Sequence, residues 1–598
     1  MAAFFNDISC QYSALDVNKL PDCFGVPVSL HLTVQEVEEK MKQSKKKPSA
    51  LPGDINCRLY DQYPEMLAVP VTNIFNSIIC SGVWPELWKR EYVTIIPKIP
   101  SPQEASECRN ISCTNFLSKL FESFVLGWAR EEVIPKTNQY GGEPKASATQ
   151  LLVETIDYVT SSLEDNRAGV VLSAVDFSKA FNRLDHEHCL RAIIERGASA
   201  QVVKLLAAFL SGRTMTVRVG QTMSRPRQVN AGAPQGSVLG CYLFNMGVDN
   251  LEDNFVQTDL PLVNSDTETL NRRDDFPAVS TPRRVGRSIQ SIPCSPIQPD
   301  PASSPVEFLP RVANIPPWIL KPKDPTFKEK PIETRKFVDD GVNMNKVNMR
   351  GARLLEENGR YFKGVTDLKT EGLLNHIALR AEQKGMCINK SKTGLMCISA
   401  ATSFYTKIQV NVQGEIVTGT DSMKILGLQI DSDCTFKKHV AVLRNRLRSK
   451  TWTLSKLRRR GLDSDKLVHV YKTLIRPSVE YLTPVWSPMI SAEQSKTLER
   501  QQIQALKNIF GSTLSANKLR QAAGIERLAE RRKKLCLSFA SKCLTNRRTA
   551  HWFQERPRPM YSRRMNINYP KFVEPIVRTD RHRNSPKNYM RRLLNEAN

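Results

Sequence analysis

Phe337-Val338-Asp339-Asp340-Gly341 places two carboxylates after an apolar pair and just before a glycine. The apolar pair reads as the end of a strand, and Gly341 reads as part of a tight hairpin. By itself an Asp-Asp pair is more often a solvated turn. A third carboxylate, Asp176, makes the pair informative. It closes the apolar run Val170-Val171-Leu172-Ser173-Ala174-Val175. Carboxylates are hard oxygen ligands of the kind that hold Mg²⁺. Two such ions about 3.5–4 Å apart can clamp the attacking and leaving oxygens of an in-line displacement. Asp176, Asp339 and Asp340 are therefore the candidate catalytic metal ligands, with Mg²⁺ or Mn²⁺ the expected cofactor.

Other short motifs fall in order around these residues. Asp176-Phe177-Ser178-Lys179-Ala180-Phe181 is followed by Ala233-Pro234-Gln235-Gly236-Ser237-Val238-Leu239-Gly240 and then by Phe337-Val338-Asp339-Asp340. Asn389-Lys390-Ser391-Lys392-Thr393 and Ile425-Leu426-Gly427-Leu428 come after, while Pro97-Lys98 and Arg109-Asn110-Ile111-Ser112 come before. In this order the series resembles the reverse transcriptases of non-LTR (LINE-like, jockey-type) retrotransposons, over roughly residues 35–515.

The resemblance implies an α+β right-hand polymerase with fingers, palm and thumb. It implies an RNA-directed DNA polymerase that takes an RNA template, a DNA primer and deoxynucleoside triphosphates. Phe181 matches the position whose ring lies under the incoming sugar and excludes a 2′-hydroxyl. Gln235 and Gly236 match residues behind that gate, near the templating base. Lys98 and Arg109 match positions that grip the triphosphate, where a guanidinium can bind phosphate oxygens in a fork. Lys392 matches a candidate proton donor to pyrophosphate. Read without the motifs, Phe181 is a core phenylalanine and the basic residues are solvated. Asn110 stands where the family usually has proline, and Glu143 brings an acid to a finger segment that is usually basic. A decayed or domesticated non-catalytic nucleic-acid-binding derivative is the competing reading.

The chain has 598 residues and a formal charge of +26. Residues 441–598 hold 35 Lys and Arg against 11 Asp and Glu, which accounts for nearly all of the excess. A basic surface of this size points to phosphate contacts. Arg444, Arg448, Arg458, Arg459 and Arg460, and the run Arg531-Arg532-Lys533-Lys534, are its candidate nucleic-acid-binding residues. The 14 cysteines show no Cys-x-x-Cys pair and read as reduced thiols. No membrane span and no signal peptide are expected, and the nucleus and cytoplasm are the expected location. His186 and His188 read as surface or helix-start residues.

The resemblance, through its motif order and the shift to helical period after 436, implies an N-terminal extension (1–32), fingers (33–165), a first palm part (166–254) and a second (331–435). A helical thumb (436–515) and a basic C-terminal region (516–598) follow. Residues 255–330, rich in Pro, Ser and Asp, read as a disordered insertion within the palm. Thr33 and Glu36 predict a capping box at a helix start. Residues 187–211 predict one helix, 354–359 another, and Gly461 a helix end.

Overall fold

The computed structural model describes residues 2–9, 11–23, 25, 29–44, 54–136, 138–164, 168–249, 251, 333–337, 340–348, 356–357, 360–361, 365–399, 408–511, 513–556 and 570–597. The expected insertion at 255–330 lies outside these residues, as do Val338 and Asp339.

The apolar segment after Lys89 forms a strand at Arg90–Pro97 (β1), paired antiparallel with Cys108–Cys113 (β2). The run that ends at Asp176 is the strand Ala168–Asp176 (β3). Arg213–Val219 (β4) lies parallel to β1 and also pairs with Thr222–Met223 (β5) and Arg227–Val229 (β6). Glu333–Phe337 (β7) and Asp340–Asn348 (β8) pair antiparallel. Glu356–Glu357 (β9) and Arg360–Tyr361 (β10) make a short pair, so this part of the predicted 354–359 helix is a strand. Gly394–Ser399 (β11) completes a four-stranded sheet of order β11-β3-β8-β7. The hairpins Gln409–Val412 with Glu415–Thr418 and Ser422–Ile425 with Leu428–Asp431 follow it.

The central sheet explains the unbroken apolar run before Asp176. Successive strand residues point to opposite faces. Val170 and Leu172 face a core shared with Leu151, Leu152 and Ile156 of the helix Ala148–Ser162. Val171 and Val175 face a second core with Phe244, Leu374 and Ile377. A strand buried on both faces has no polar alternation to show.

The capping box forms as predicted. The Thr33 hydroxyl accepts from the Glu36 N–H, and the Glu36 carboxylate accepts from the Thr33 N–H. The predicted 187–211 helix is two helices, His186–Ile194 and Ala200–Leu210. Gly197 breaks them with φ +89°, and Ser199 caps the second by accepting from the Val202 N–H. Leu443, Leu447 and Leu454 are buried on the helix Lys437–Arg459, and Gly461 follows it in the left-handed region.

The boundary expected at 515/516 does not separate two cores. Leu519, Leu528, Ala540, Trp552, Phe572, Met590 and Leu594 share one apolar cluster with Leu447, Leu467 and Trp486. The N-terminal segment is also packed, although its sequence shows little pattern. Ser9 Oγ accepts from the N–H groups of Asn230 and Ala231, and the Tyr12 hydroxyl donates to the Gly385 carbonyl at 2.5 Å.

Candidate active site

Asp176 is the last residue of β3, and its register partner across the sheet is Asp340, the first residue of β8. Two of the three candidate carboxylates therefore sit on adjacent strands at one end of the sheet. The side chain of Asp340 and the whole of Asp339 lie outside the described residues. Past Asp176 the chain runs beside residues 387–389. The Ser178 N–H donates to the Cys387 carbonyl, and the Asn389 N–H donates to the Asp176 carbonyl. This pairing brings Lys392 over the site, with its Nζ 3.0 Å from Asp176 Oδ2. That oxygen is buried, and among the described residues the Lys392 ammonium is the charged group in contact with it. A buried carboxylate oxygen whose neighbour is a cation fits a metal-ligand position.

Phe181 lies in the turn Ala180–Asn182 and stacks on Phe244, with ring centroids 4.5 Å apart and planes 16° apart. Its carbonyl accepts from the Ala233 N–H at 2.9 Å. The segment that carries Gln235 and Gly236 is thereby tied to the candidate gate. Gln235 in turn accepts a hydrogen bond from the Ser112 N–H of β2. Gly236 has φ +129°, and a Cβ there would sit 2.7 Å from the Ser112 carbonyl oxygen. Only glycine combines that backbone angle with that closeness. Residues 112, 181 and 233–236 thus form one interlocked loop cluster.

Lys98 is exposed at the end of β1 and donates to the Ser106 carbonyl at 2.9 Å. Arg109 is exposed on β2 opposite Ile96, and no described contact joins it to Asp176. Lys179 and Arg183, neither of which the motifs singled out, stand on either side of Phe181. Burial lowers the pKa of Lys179, and the charges of Arg183 and Lys98 lower it further. The Lys179 ammonium lies over the Phe4 ring, 3.7 Å from its centroid.

Several supporting residues gave no signal in the sequence. Glu122 is fully buried on the helix Phe116–Glu132 and accepts from the N–H groups of Val238 and Leu239 and from the Ser118 hydroxyl. His186 is buried, not a surface residue, although it does start its helix. Its ring Nε2 lies 2.8 Å from the Gly232 carbonyl, which can only accept, so that nitrogen carries the proton. Burial lowers its pKa. Glu143 is an inward-facing structural acid. It pairs with Arg130 at 3.0 Å and accepts from the Asn245 amide.

The basic residues of the C-terminal quarter divide into two groups. Arg444, Arg448, Arg459 and Arg460 are exposed on or just after the helix Lys437–Arg459, and Arg458 donates to the Asn508 carbonyl. On the same helix, Lys456 lies over the exposed Trp452 ring. In the run at 531–534 the side chains of Lys533 and Lys534 stay exposed while Arg532 is buried. Arg531 pairs with Glu480, Lys533 with Glu596 and Lys534 with Glu526. Arg532 is buried against Trp486 and donates to Ser487 and Ser495. A phosphate cannot reach that guanidinium in this arrangement. Among the described residues no helix is long and apolar enough to cross a membrane.

Residues 96–263 match the family model described as reverse transcriptase (RNA-dependent DNA polymerase). That stretch includes Asp176, Phe181, Gln235 and Gly236. A probable RNA-directed DNA polymerase from transposon BS of Drosophila melanogaster is 25% identical over 39% of this chain and 26% of its own length. The RNA-directed DNA polymerase from mobile element jockey of Drosophila funebris is 29% identical over 36% of this chain and 24% of its own. A retrovirus-related Pol polyprotein from a type-1 retrotransposable element R2 of Popillia japonica is 28% identical over 30% and 25%. The alignments thus span about a quarter of the length of these relatives. In sequence the chain resembles the reverse transcriptases of jockey-type non-LTR elements, and the segment that carries Asp176 and the Gln235-Gly236 loop is where the family match lies.

Proposed function

We propose that this chain is an RNA-directed DNA polymerase of retrotransposon type, with deoxynucleoside triphosphates, an RNA template and a DNA primer as substrates. The observation that carries the reading is the placement of Asp176 opposite Asp340, beside the loop cluster of Phe181 and Gln235-Gly236. In a right-hand reading, β3, β7, β8 and β11 belong to the palm, β1 and β2 to the fingers, and the helix Lys437–Arg459 to the thumb.

Asp176, Asp339 and Asp340 would hold Mg²⁺ or Mn²⁺. When bound, such ions activate a primer 3′-hydroxyl and neutralise charge on the departing pyrophosphate. The residues of this chain supply the remainder. Lys98, Lys179 and Arg183 present positive charge to a triphosphate. Phe181, braced by Phe244, presents a rigid face that collides with a ribose 2′-hydroxyl. Lys392, held against Asp176, donates a proton to the leaving group in this reading. Arg444 and Arg448 face outward, where a duplex backbone can meet them.

The test is primer extension on an oligo-dT-primed RNA template. Asp176→Asn removes a charged ligand but leaves the basic surface in place. It is expected to reduce incorporation by on the order of a thousandfold or more, with template–primer binding largely retained. Equal incorporation by wild type and variant would reject the assignment. Full binding without turnover in the wild type would instead favour the non-catalytic derivative.

A further inference from the structure

The loop from Pro234 to Leu239 carries two candidate site residues and is held in part by its own side chains, since the Ser237 hydroxyl donates to the Pro234 carbonyl and accepts from the Gly240 N–H, and Leu239 is buried. Its backbone is gripped from two sides. On one side, Ser112 of β2 donates its N–H to the Gln235 carbonyl, and Gly236 presses against the Ser112 carbonyl. On the other side stands Glu122. Its Oε2 accepts from the Val238 N–H at 2.7 Å and the Leu239 N–H at 3.4 Å, and its Oε1 accepts from the Ser118 hydroxyl at 3.0 Å.

Glu122 has no exposed surface. A buried carboxylate is costly unless it is hydrogen-bonded or paired. Among the described residues no Lys or Arg is hydrogen-bonded to it. The cation whose charge acts on it is Arg213, which is itself paired with Glu91. Burial pushes the Glu122 pKa up; the charge of Arg213 opposes this most, and the N–H groups of Val238 and Leu239, just before the helix Gly240–Val248 whose dipole favours negative charge, oppose it further. The same helix is tied to the far end of the Glu122 helix, because the Tyr242 hydroxyl lies 3.2 Å from the Ala129 carbonyl and 3.1 Å from the Val133 carbonyl. An apolar side chain at 122 would leave the Val238 N–H without this acceptor and free the loop to shift away from β2.

We propose that Glu122 is a positioning residue for the nucleotide site, fixing the Gln235-Gly236 loop against β2 so that the loop can meet an incoming base pair. This rests on the polymerase reading for its kinetic consequence but not for its structural one. Glu122 does not touch substrate. Its effect should appear in nucleotide KM and in discrimination between correct and mismatched nucleotides, and not in affinity for the template–primer.

Full-length wild type, Glu122→Ala, Glu122→Gln and Glu122→Asp are compared by steady-state primer extension, by template–primer binding and by hydrogen–deuterium exchange of the 234–240 segment. Glu122→Ala is expected to raise nucleotide KM about tenfold, to increase misincorporation, and to speed exchange at Val238 and Leu239, with template–primer affinity within twofold of wild type. Glu122→Gln keeps a carbonyl acceptor and should recover most of the KM. Glu122→Asp keeps the charge but is one methylene shorter and should not. A folded Glu122→Ala with wild-type KM and wild-type exchange overturns the proposal. If Glu122→Ala fails to fold, the Gln and Asp variants decide. Gln close to wild type with Asp impaired supports the role, and any other ranking overturns it. If wild type itself incorporates nothing, the polymerase reading fails separately, and the exchange of Val238 and Leu239 still reports on Glu122.

Discussion

Asp176 at the end of β3 and Asp340 at the start of β8 are register partners, and the Lys392 ammonium lies 3.0 Å from the buried oxygen of Asp176. An ammonium 3.0 Å from a carboxylate oxygen competes with a divalent ion for the same site. Lys392→Ala should therefore lower the Mg²⁺ concentration that gives half-maximal incorporation. If Lys392 also protonates pyrophosphate, the rate at saturating metal should fall about 10²-fold. A Mg²⁺ titration of primer extension reads both effects, and an unmoved midpoint would mean that the ion pair does not compete.

The pair Arg213–Glu91 joins β4 to β1 at 2.7 Å, with both side chains almost fully buried. Removing one partner of such a pair strands the other charge and typically costs about 3–5 kcal/mol. Glu91→Gln and Arg213→Met should each lower the urea midpoint markedly. The double variant Glu91→Leu/Arg213→Met should be less damaged than the sum of the singles. Additive losses would show that the two charges are not coupled.

Acid should weaken the fold through two histidines. Burial holds His188 and His439 down at about 4, helped by the charges of Lys384 and Arg446 respectively. Both are neutral in the folded chain, while an unfolded histidine titrates near 6.5. Their contribution is therefore complete above about pH 6.5 and is lost as the pH falls to about 4 and below. It amounts to up to roughly 3 kcal/mol for each group. Urea midpoints measured across that window should fall, and His439→Gln should flatten the curve.

Truncation at residue 515 is expected to cost stability before it costs charge. It removes Leu519, Leu528, Trp552, Phe572, Met590 and Leu594 from a core shared with Leu447 and Trp486. The shortened chain should melt at a clearly lower temperature or fail to fold, as circular dichroism would report. A shortened chain that melted like the full one would show the cluster to be dispensable.

The exposed arginines allow a cleaner test of phosphate binding. Arg444→Gln and Arg448→Gln lie on the outer surface of the Lys437–Arg459 helix and break no described hydrogen bond. For every nucleic-acid phosphate that a variant no longer neutralises, the log–log salt slope should shrink by about 0.7–0.9. Binding measured from low to high salt would show it, whereas slopes equal to wild type would mean that this face stays solvated.

Asp176 was legible because local rules agree there. A strand buried on both faces reads as an unbroken apolar run, and a charged residue can only stand where the run stops. The Thr33 capping box was equally local. What the sequence concealed is long-range or backbone-directed. Glu122 serves N–H groups more than a hundred positions away, and an amide donor leaves no trace in residue type. The partners of Arg531, Lys533 and Lys534 are scattered over Glu480, Glu526 and Glu596, which a basic run in the sequence does not announce. The break between the helices at 194 and 200 turned on the backbone of Gly197, which apolar periodicity on either side masked.

The order β11-β3-β8-β7 has a consequence for how the chain is made. Both neighbours of β3 come from far later in the sequence. At usual translation rates of about 5–20 residues per second, β3 waits roughly ten to thirty seconds for β8 and longer for β11. Closing so long a loop adds little to its entropic cost, which grows only with the logarithm of length. The hazard is kinetic. During that interval an apolar strand with two open edges is present and can pair with other chains. Fragments that stop before residue 340 should therefore aggregate during expression, and slower synthesis should lower the yield of the full chain unless a chaperone covers β3.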